Sequence, residues 1–363
     1  MFSAADLEFM ARALQLAEQG LYSTTPNPRV GCVIVNDGLV VGEGWHRRAG
    51  EAHAEVHALR AAAGKASGAT AYVTLEPCSH YGRTPPCADA LIAAGVTRVV
   101  AAMQDPNPTV SGNGLARLST SGIVVGCGLL TSAAEELNIG FVSRMTRGRP
   151  WVRMKLATSL DGKTALENGA SQWITGAAAR QDGHRWRARA CAILSGIGTV
   201  LADNPQLNVR DVETSRQPLK VVIDSRLELP LDARLLATGE VLLVTVSADL
   251  EKANALRERG VEILNLPNAS GNVDLPELMQ ELGRRGINEL HVEGGYRLSG
   301  ALVAAGLVDE LLLYQAPCLI GDAARGMLDM PSLLSLENKQ QLTIRDVRMV
   351  GSDLRVLARL RAE

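Results

Sequence analysis

Residues 53–55 and 76–87 constrain the fold of this chain more than any other part of its sequence. The first segment contains His53 and Glu55, and the second contains Cys78 and Cys87. One imidazole and two thiolates can bind a zinc ion and leave its fourth coordination position open. A fold that uses these ligands must bring two distant segments of the chain to one point.

The spacing of His53 and Glu55 places a condition on the local backbone. On a regular helix, side chains at these two positions would point about 200° apart. We therefore expect His53 at the very start of a helix, so that both side chains reach the same ion. Glu55 can then transfer protons to and from a water molecule at the open position. His57 is an alternative ligand, because histidines four residues apart on a helix can share a metal ion.

The pattern matches the signature of zinc-dependent nucleobase deaminases, His-x-Glu followed by Pro-Cys-x-x-Cys, except in one respect. Eight residues, rather than two, separate Cys78 from Cys87. The loop between them is rich in polar and proline residues and includes His80, Arg83 and Thr84. We interpret the pattern as a site for hydrolytic deamination of a cytosine-like ring, with the longer loop beside the substrate.

The length of the chain, 363 residues, favours two domains over one. Gly148 and Pro150 lie between charged residues in a segment that is typical of a domain boundary. We therefore predict one domain at residues 1–146 and a second at residues 147–363. Alternating strand and helix patterns indicate the α/β class for both. The first domain is expected to contain a mixed sheet of about five strands between helices.

The hydrophobic pattern predicts individual elements in each domain. In the first domain, helices are expected from residue 114 and at residues 7–19, 53–65, 86–94 and 132–145. Its strands are expected at residues 30–35, 40–45, 71–75, 96–103 and 123–126. The second domain is expected to have strands at residues 152–157, 192–195, 219–224, 241–246, 290–293 and 311–316. Its helices are expected at residues 177–190, 250–259, 276–285 and 298–305, before a hairpin at 341–359.

Composition excludes several classes of partner. The net charge is −2 and aromatic residues make up 3% of the chain, whereas nucleic-acid binding needs a basic track and rings for base stacking. No apolar run reaches about 18 residues, so we expect no membrane partner. The N-terminus has no signal-type core, and six cysteines do not indicate a disulfide scaffold. These features favour the cytoplasm.

Further motifs resemble those of the bifunctional riboflavin-biosynthesis deaminase/reductases of the RibD/RibG type. In the first domain they are Thr-Pro-Asn-Pro-Arg-Val-Gly (25–31), Glu-Pro-Cys-Ser-His (76–80) and Gln-Asp-Pro-Asn-Pro (104–108). In the second they are Lys-Leu-Ala-Thr-Ser-Leu-Asp-Gly-Lys (155–163), Ser-Gln-Trp-Ile-Thr (171–175), Gly-Thr-Val-Leu-Ala-Asp-Asn-Pro (198–205), Val-Ile-Asp-Ser-Arg (222–226) and Val-Glu-Gly-Gly (292–295). The likeness covers nearly the whole chain, and the longer cysteine spacing is this family's own.

The resemblance implies a cytidine-deaminase-like three-layer α/β/α domain followed by a dihydrofolate-reductase-like α/β domain. It also implies two consecutive reactions. In the first, 2,5-diamino-6-(5-phosphoribosylamino)pyrimidin-4-one loses its 2-amino group as ammonia. In the second, NADPH reduces the ribosyl group of the resulting 5-amino-6-(5-phosphoribosylamino)uracil to give 5-amino-6-(5-phosphoribitylamino)uracil. The implied cofactors are one Zn²⁺ and NADPH, and the family's habit suggests a homodimer or homotetramer.

The same resemblance implies roles for individual residues. His53, Cys78 and Cys87 would bind zinc, and Glu55 would be catalytic. Contacts to NADPH would come from Ala157, Trp173, Thr199, Asp203, Ser225, Gly295, Tyr296, Arg297, Leu298, Ser299, Gly300 and Ala301. Contacts to the substrate would come from Asn27 in the first domain and from Ser171, Arg187, Leu207, Arg210 and Glu293 in the second. His46, His80 and Arg83 are further candidates for the first substrate, with a purely structural or solvated role as the alternative.

Physical arguments support part of this assignment in the second domain. Gly294 and Gly295 follow a predicted strand, where bare backbone can approach a pyrophosphate, although the local sequence alone favours a simple tight strand–helix turn. Arg187 and Arg210 suit a sugar phosphate, because a guanidinium group binds phosphate through two hydrogen bonds.

Other residues of the second domain remain open between roles. Arg226 could recognise the 2′-phosphate of NADPH, and an exposed arginine without that role is the alternative. The acid or base of the reductase step is left open between Lys155, Asp203 and Glu293.

Two other functions compete with this interpretation. One is a nucleic-acid deaminase with an accessory domain, which the balanced charge and few aromatic residues disfavour. The other is a deaminase whose second domain is only structural or regulatory, which the glycine turn and the two arginines disfavour.

Overall fold

The computed structural model describes residues 2–79 and 85–360. The chain divides into two compact units, Met1–Gly148 and Arg149–Glu363. Each unit has its own main sheet and its own hydrophobic clusters. No helix in the described ranges is long and apolar enough to span a bilayer.

The first unit is built on a five-stranded mixed sheet in the order β2-β1-β3-β4-β5. Its strands are β1 (Gly31–Asn36), β2 (Leu39–Trp45), β3 (Thr70–Val73), β4 (Arg98–Ala101) and β5 (Val124–Cys127). The pairs β1–β2 and β1–β3 are antiparallel, and β3–β4 and β4–β5 are parallel. The predicted five-stranded mixed sheet is therefore present.

Helices cover both faces of this sheet. They are α1 (Ala4–Glu18), α2 (Ala54–Ala62), α3 (Cys87–Ala93), α4 (Asn113–Thr120), α5 (Thr131–Leu137) and α6 (Ile139–Arg147). Alternate residues of β1 face opposite layers: Cys32 and Ile34 pack with α2 and α3, whereas Val33 and Val35 pack with α1. The result is a three-layer unit. Because α2 and α3 pack on the same face, His53 and Cys87 lie on the same side of the sheet.

One continuous helix was expected at residues 132–145, but the structure has two helices there, α5 and α6. The prediction of a single helix was therefore wrong. The break lies at Asn138, whose φ of −107° and ψ of 21° are not helical. The Asn138 side chain is turned inward and hydrogen-bonds the backbone of Arg29. Asparagine competes with helical hydrogen bonding in this way, and hydrophobic periodicity alone does not register it.

The second unit contains a nine-stranded sheet and a separate two-stranded sheet. The strands are β6 (Trp151–Ser159), β7 (Lys163–Ala165), β8 (Ala192–Gly196), β9 (Leu219–Ile223), β10 (Val241–Thr245), β11 (Val261–Asn265), β12 (Glu289–Val292), β13 (Glu310–Ala316), β14 (Arg325–Gly326), β15 (Leu342–Val350) and β16 (Asp353–Leu360). The large sheet has the order β11-β10-β9-β8-β12-β6-β13-β16-β15, and β7 pairs with β14. The predicted C-terminal hairpin is confirmed as β15–β16.

Helices α7 (Ala177–Arg189), α8 (Ile197–Asp203), α9 (Leu250–Glu258), α10 (Leu275–Arg284) and α11 (Tyr296–Ala304) pack against this sheet. The sequence pattern did not predict β7, β11, β14 or α8. Helix α8 is rich in glycine and β-branched residues, which favour other conformations, and its Val200 is buried against the sheet. Tertiary packing therefore overrides local propensity there.

Arg153 on β6 is buried at the centre of the large sheet. Its Nη1 donates to Glu289 on β12 at 2.9 Å, and its Nε donates to Glu310 on β13 at 2.6 Å. The guanidinium group also stacks over the Trp186 ring at 4.5 Å. One cation therefore connects three neighbouring strands.

Candidate active sites

His53 is the N-cap residue of α2, and its backbone is extended, with φ −76° and ψ 168°. The expected position at the helix start is confirmed, and Glu55 follows in the first helical turn. The start of α2 lies very close to β2, because a Cβ atom on Gly44 would be 2.5 Å from the carbonyl oxygen of Ala54. Glycine at this position permits the approach.

Two sulfur atoms lie beside the His53 ring. Cys78 follows β3, and Cys87 is the buried first residue of α3. His53 Nδ1 is 3.2 Å from Cys87 Sγ and 3.6 Å from Cys78 Sγ. The Cys87 backbone N–H also donates to Cys78 Sγ at 3.3 Å. The fold therefore brings the three predicted ligands together.

These distances fit a tetrahedral zinc ion. Zinc–nitrogen and zinc–sulfur bonds of about 2.1 and 2.3 Å at the tetrahedral angle place nitrogen and sulfur about 3.5 Å apart. Among the described residues, the group of histidine, cysteine and acidic side chains that can hold a metal ion is His53, Cys78 and Cys87. His57, the alternative ligand, is not a member of this group.

The two thiols influence each other's ionisation. A hydrogen bond from Cys87 lowers the pKa of Cys78, whereas that pairing and burial raise the pKa of Cys87. The protein alone therefore stabilises one thiolate at this position. A divalent cation would stabilise the second thiolate as well, because a thiolate is the form of cysteine that binds metal.

Glu55 is 3% exposed. Burial raises its pKa to about 7, and its carboxyl group interacts with the side chain of Cys87. A carboxyl group beside the metal ligands that can hold or lose a proton near neutral pH is suited to acid–base catalysis.

Asn27 is connected to this cluster through His46. Asn27 Nδ2 lies 3.1 Å from His46 Nε2, and His46 Nδ1 lies 3.2 Å from the carbonyl oxygen of Ala52. Since a carbonyl oxygen only accepts, Nδ1 carries the proton and Nε2 accepts from Asn27. The ring of His46 also meets that of His53 edge-on at 5.4 Å. The remaining candidates, His80, Arg83 and Thr84, lie outside the described residues.

The second unit has a reversal of strand order between β8 and β12. These strands are parallel neighbours, but the chain leaves β8 toward β9 on one side and leaves β12 toward β13 on the other. Helices α8 and α11 begin at the carboxyl ends of these two strands. Their N-caps, Gly196 and Gly295, provide no side-chain cap, so the first backbone N–H groups of both helices have no capping side chain at this crevice between the strand ends. Ligands bind at such reversals in open α/β sheets.

Two of the predicted NADPH contacts, Thr199 and Gly295, lie at these helix starts, and two others, Trp173 and Asp203, lie toward the far end of α8. A Cβ atom on Gly295 would be 3.5 Å from Thr199 Oγ1, so the two helix starts face each other. Gln172 Nε2 donates to Asp203 Oδ1 at 3.2 Å, which connects the segment of Trp173 to the end of α8. Trp173 is largely exposed, and Arg180 stacks over its ring at 4.6 Å.

Other glycine-turn residues have structural reasons of their own. Leu298 packs over Gly294, where a Cβ atom would be 3.1 Å from Leu298 Cδ2. A Cβ atom on Gly300 would be 2.0 Å from the carbonyl oxygen of Asp329. Close packing thus requires glycine at 300 independently of any cofactor.

Arg187 and Glu293 form a bidentate ion pair beside the crevice. Arg187 Nε and Nη2 donate to the two carboxylate oxygens at 2.5 and 2.7 Å, and Nη1 donates to the carbonyl oxygen of Asn208 at 3.0 Å. Burial would raise the pKa of Glu293, but the charge and hydrogen bonds of Arg187 hold it well below its usual range. Burial lowers the pKa of Lys155, which interacts electrostatically with Glu293.

The predicted substrate residues at 207 and 210 lie on one loop. Arg210 Nη1 donates to Gln206 and Asn208, and its backbone N–H donates to His184 Nδ1 at 3.1 Å. The side chain of Leu207 is buried in a hydrophobic cluster, so only its backbone can face a ligand. Arg226 is mostly exposed and pairs with Glu228 at 3.1 Å.

Comparison with known proteins identifies the family. A family model described as the RibD C-terminal domain matches residues 150–356. The riboflavin biosynthesis protein RibD of Escherichia coli K12 is 51% identical over 362 residues, which cover 96% of this chain and 98% of that protein. The chain belongs to the RibD family. A second model, the cytidine and deoxycytidylate deaminase zinc-binding region, matches residues 3–103.

Solved RibD structures agree over the whole chain. RibD from Acinetobacter baumannii, form 1, is 45% identical with a TM-score of 0.92 and covers 99% of both chains. The deaminase/reductase from Thermotoga maritima is 34% identical with a TM-score of 0.88, covering 98% of this chain and 99% of that one. The predicted fold class is confirmed: as a RibD protein, the chain combines a zinc-binding deaminase domain with a reductase domain.

The sequence pattern did not identify two residues that support the deaminase site without belonging to the predicted metal ligands or substrate contacts. Glu76 and Asn138 are buried and hydrogen-bond several backbone groups around the zinc ligands and Asn27. For Glu76 a signal existed, because an acidic residue at the end of an apolar strand must find donors if it is buried. For Asn138 no local signal distinguishes it from a solvated helix residue.

Proposed function

We propose that His53, Cys78 and Cys87 bind zinc and that Glu55 is the acid–base residue of the deaminase. The proposed substrate is 2,5-diamino-6-(5-phosphoribosylamino)pyrimidin-4-one, which loses its 2-amino group to water. The observation that carries this proposal is the convergence of one imidazole nitrogen and two sulfurs, with a buried carboxyl group interacting with Cys87. The Thermotoga relative bears the name of a diaminohydroxyphosphoribosylaminopyrimidine deaminase, which supports this choice of substrate.

Zinc, when bound, supplies the Lewis acidity that brings the pKa of water close to neutrality. Glu55 takes one proton from the attacking water and delivers it to the departing amino group, and the second water proton passes to the adjacent ring nitrogen, so that ammonia leaves and a carbonyl remains. Its burial excludes bulk water from this transfer. Asn27 then holds the pyrimidine, and His46, whose two ring nitrogens contact Asn27 and the carbonyl oxygen of Ala52, orients the Asn27 side chain.

For the second unit we propose that NADPH binds across the ends of β8 and β12. When bound, NADPH supplies a hydride. The twelve predicted cofactor residues remain Ala157, Trp173, Thr199, Asp203, Ser225, Gly295, Tyr296, Arg297, Leu298, Ser299, Gly300 and Ala301. The two uncapped helix starts support a pyrophosphate in the crevice between them, because they offer backbone donors and the positive ends of helix dipoles.

The proposed reductase substrate is 5-amino-6-(5-phosphoribosylamino)uracil, held by Ser171, Arg187, Leu207, Arg210 and Glu293. Arg187 and Arg210 border one loop and provide positive charge for a sugar phosphate. Arg187 is already paired with Glu293, so a phosphate at Arg187 would share or replace that pair. Reduction to the ribityl product takes one hydride and one proton, and Lys155, Asp203 and Glu293 remain the candidates for handling the proton.

One experiment tests both halves. The full chain is incubated with the diaminopyrimidine substrate, and ammonia and NADPH are followed together. Omission of NADPH should leave ammonia release intact and stop reduction. The Glu55→Gln variant should retain its zinc and lose ammonia release by about a hundredfold or more, while still oxidising NADPH when given the deaminated intermediate. Normal deamination by this variant would show that Glu55 is not the acid–base residue.

We propose that the deaminase domain comprises residues 1–146 and the reductase domain residues 147–363. The two family matches, 3–103 and 150–356, and the division between Gly148 and Arg149 support this boundary. We also propose that the protein acts in the cytoplasm. None of its six cysteines, all within the described ranges, is in a disulfide, as expected in a reducing compartment.

We further propose a homo-oligomer, dimer or tetramer, assembled through the reductase unit. Leu342, Ile344, Val347 and Met349 on the edge strand β15 are 41–63% exposed. Such an apolar edge is usually covered in a stable protein, and a second copy of the chain would cover it. Sedimentation of wild type and of Val347→Asp tests this, because the variant should lose mass if the proposed interface exists.

A further inference from the structure

The side chain of Glu76 lies between the segment of Cys78 and the N-terminal turn of α4. It is buried, and both carboxylate oxygens are fully used. The four donors are the backbone N–H groups of Asp105 (3.0 Å), Gly112 (2.9 Å), Gly114 (2.8 Å) and Leu115 (3.3 Å). The Glu76 carboxylate thus hydrogen-bonds the backbone of a segment that extends from residue 105 to residue 115.

No lysine or arginine in the described part of the chain forms an ion pair with Glu76. Its stabilisation comes from backbone dipoles at the start of α4, where N–H groups have no partner within the helix. The interaction is therefore geometrically specific: the four N–H directions fix where the carboxylate, and the backbone that carries it, can lie.

Glu76 is separated from the proposed zinc ligand Cys78 by a single residue, Pro77, which also packs against α4. Pro77, between Glu76 and Cys78, packs its carbonyl oxygen against α4, where a Cβ atom on Gly114 would be only 1.9 Å away. On the other side, the Ala88 N–H donates to the carbonyl oxygen of Cys78 at 3.1 Å. Cys78 is therefore held between the first turns of α4 and α3.

We propose that Glu76 is a positioning residue for the zinc centre. By fixing the start of α4 against Pro77, it sets the distance of Cys78 Sγ from His53 Nδ1. Residues that orient a metal ligand commonly contribute a factor of about 10 to 100 in metal affinity. The inference rests on the proposed zinc site and adds a residue that does not touch the metal.

The test measures metal binding in the full chain, independently of turnover. Glu76→Gln keeps the size of the side chain, but its amide nitrogen cannot accept a hydrogen bond from the N–H groups that it would face. Zn²⁺ affinity is measured by competition with a chromophoric chelator. Co²⁺ is then substituted for zinc, because its visible and thiolate charge-transfer absorption bands report the geometry of sulfur ligation. We expect Zn²⁺ affinity to fall by about 10-fold or more and the cobalt bands to shift.

Asp89→Asn is the matched control. Asp89 lies two residues after Cys87 and pairs with Arg117 of the same helix α4, but this ion pair is exposed. The substitution removes the same charge near the site, and an exposed pair contributes little, so Zn²⁺ affinity should stay within about twofold of wild type. NADPH oxidation with the deaminated intermediate should be unchanged in both variants, which shows that the reductase unit is intact, and an unchanged far-UV circular dichroism spectrum shows that the deaminase unit is folded.

If Glu76→Gln does not fold, Glu76→Asp decides the question, since it keeps the charge but cannot reach all four donors. It should bind Zn²⁺ less tightly than wild type. Wild-type affinity together with an unaltered cobalt spectrum in the folded Glu76 variant would overturn the inference alone. A wild-type chain that binds no Zn²⁺ at these ligands would overturn the proposed zinc site and this inference with it.

Discussion

The side-chain amide of Asn138 pairs with the backbone of Arg29 in both directions. Asn138 Oδ1 accepts from the Arg29 N–H at 2.7 Å, and Asn138 Nδ2 donates to the Arg29 carbonyl oxygen at 2.9 Å. Both groups are buried. The junction of α5 and α6 thereby holds the loop on which Asn27 lies, two residues before Arg29.

Asn138→Ala should destabilise the deaminase unit by about 3 kcal/mol, because two buried backbone groups lose their partners. Urea unfolding of the full chain, followed by deaminase activity, measures the loss. Asn36→Ala is the control, since the Asn36 amide donates to exposed carbonyl groups at the surface. Equal stability of the two variants would show that the Asn138 pairing contributes little.

Removal of the metal should separate the two activities. Dialysis of the full chain against a strong chelator should abolish ammonia release, because His53, Cys78 and Cys87 would hold no ion. Reduction of the deaminated intermediate by NADPH should continue at the wild-type rate, since the predicted reductase residues include none of these ligands. Added Zn²⁺ should restore ammonia release. Loss of both activities on chelation would contradict the proposal that only the deaminase unit needs the metal ion.

Glu293→Gln should impair the reductase selectively. The substitution leaves Arg187 without its partly buried counter-charge, and the cost is at most the roughly 3–5 kcal/mol lost when a fully buried pair is broken. We expect reduction of the intermediate to fall by more than about tenfold, with ammonia release unchanged. Glu228→Gln provides the comparison, because its pair with Arg226 is exposed. A reductase that tolerates Glu293→Gln as well as Glu228→Gln would argue against a functional role for Glu293.

Asp6 should make helix α1 sensitive to acid. The hydrogen bonds from Arg98, with further ones from Ser3 and Tyr72, hold the pKa of Asp6 well below its usual range. A carboxyl group with a lowered folded-state pKa stabilises the fold above its unfolded pKa of about 3.9, and this stabilisation is lost as pH falls through the folded value.

Hydrogen exchange in α1 measures this effect. Asp6→Asn should increase exchange at pH 6 by an amount equivalent to about 2 kcal/mol, and the difference from wild type should shrink as pH falls below about 4. Glu8→Gln removes an exposed acid from the same helix and should show little change at either pH. A pH-independent difference for Asp6→Asn would contradict the assigned cause.

The proposed zinc ligands could be chosen from the sequence because the chemistry restricts both residue type and spacing. The requirement that His53 begin a helix follows from helical geometry alone, and the structure meets it. The β15–β16 hairpin was equally accessible, since its alternating pattern surrounds a turn. The start of α2 and the β15–β16 hairpin depend on residues that are neighbours along the chain.

Glu76 and Asn138 depend on distant backbone instead. The backbone N–H groups from which their side chains accept lie 29 to 109 residues away, and a backbone N–H carries no side-chain signature. Helix α8 was not predicted for a related reason. Its stability comes from packing against the sheet rather than from the helix propensity of its residues. Features set by long-range contacts require the folded coordinates.

The position of Arg153 limits how the reductase strands can align. A slip of β6 by two residues would keep its apolar side chains on the same faces. It would also move the Arg153 guanidinium away from Glu289 and Glu310, so that each buried carboxylate would lose one arginine and keep Arg189 or Arg359. The free energy lost with these two buried ion pairs therefore disfavours a register that hydrophobic burial alone would accept.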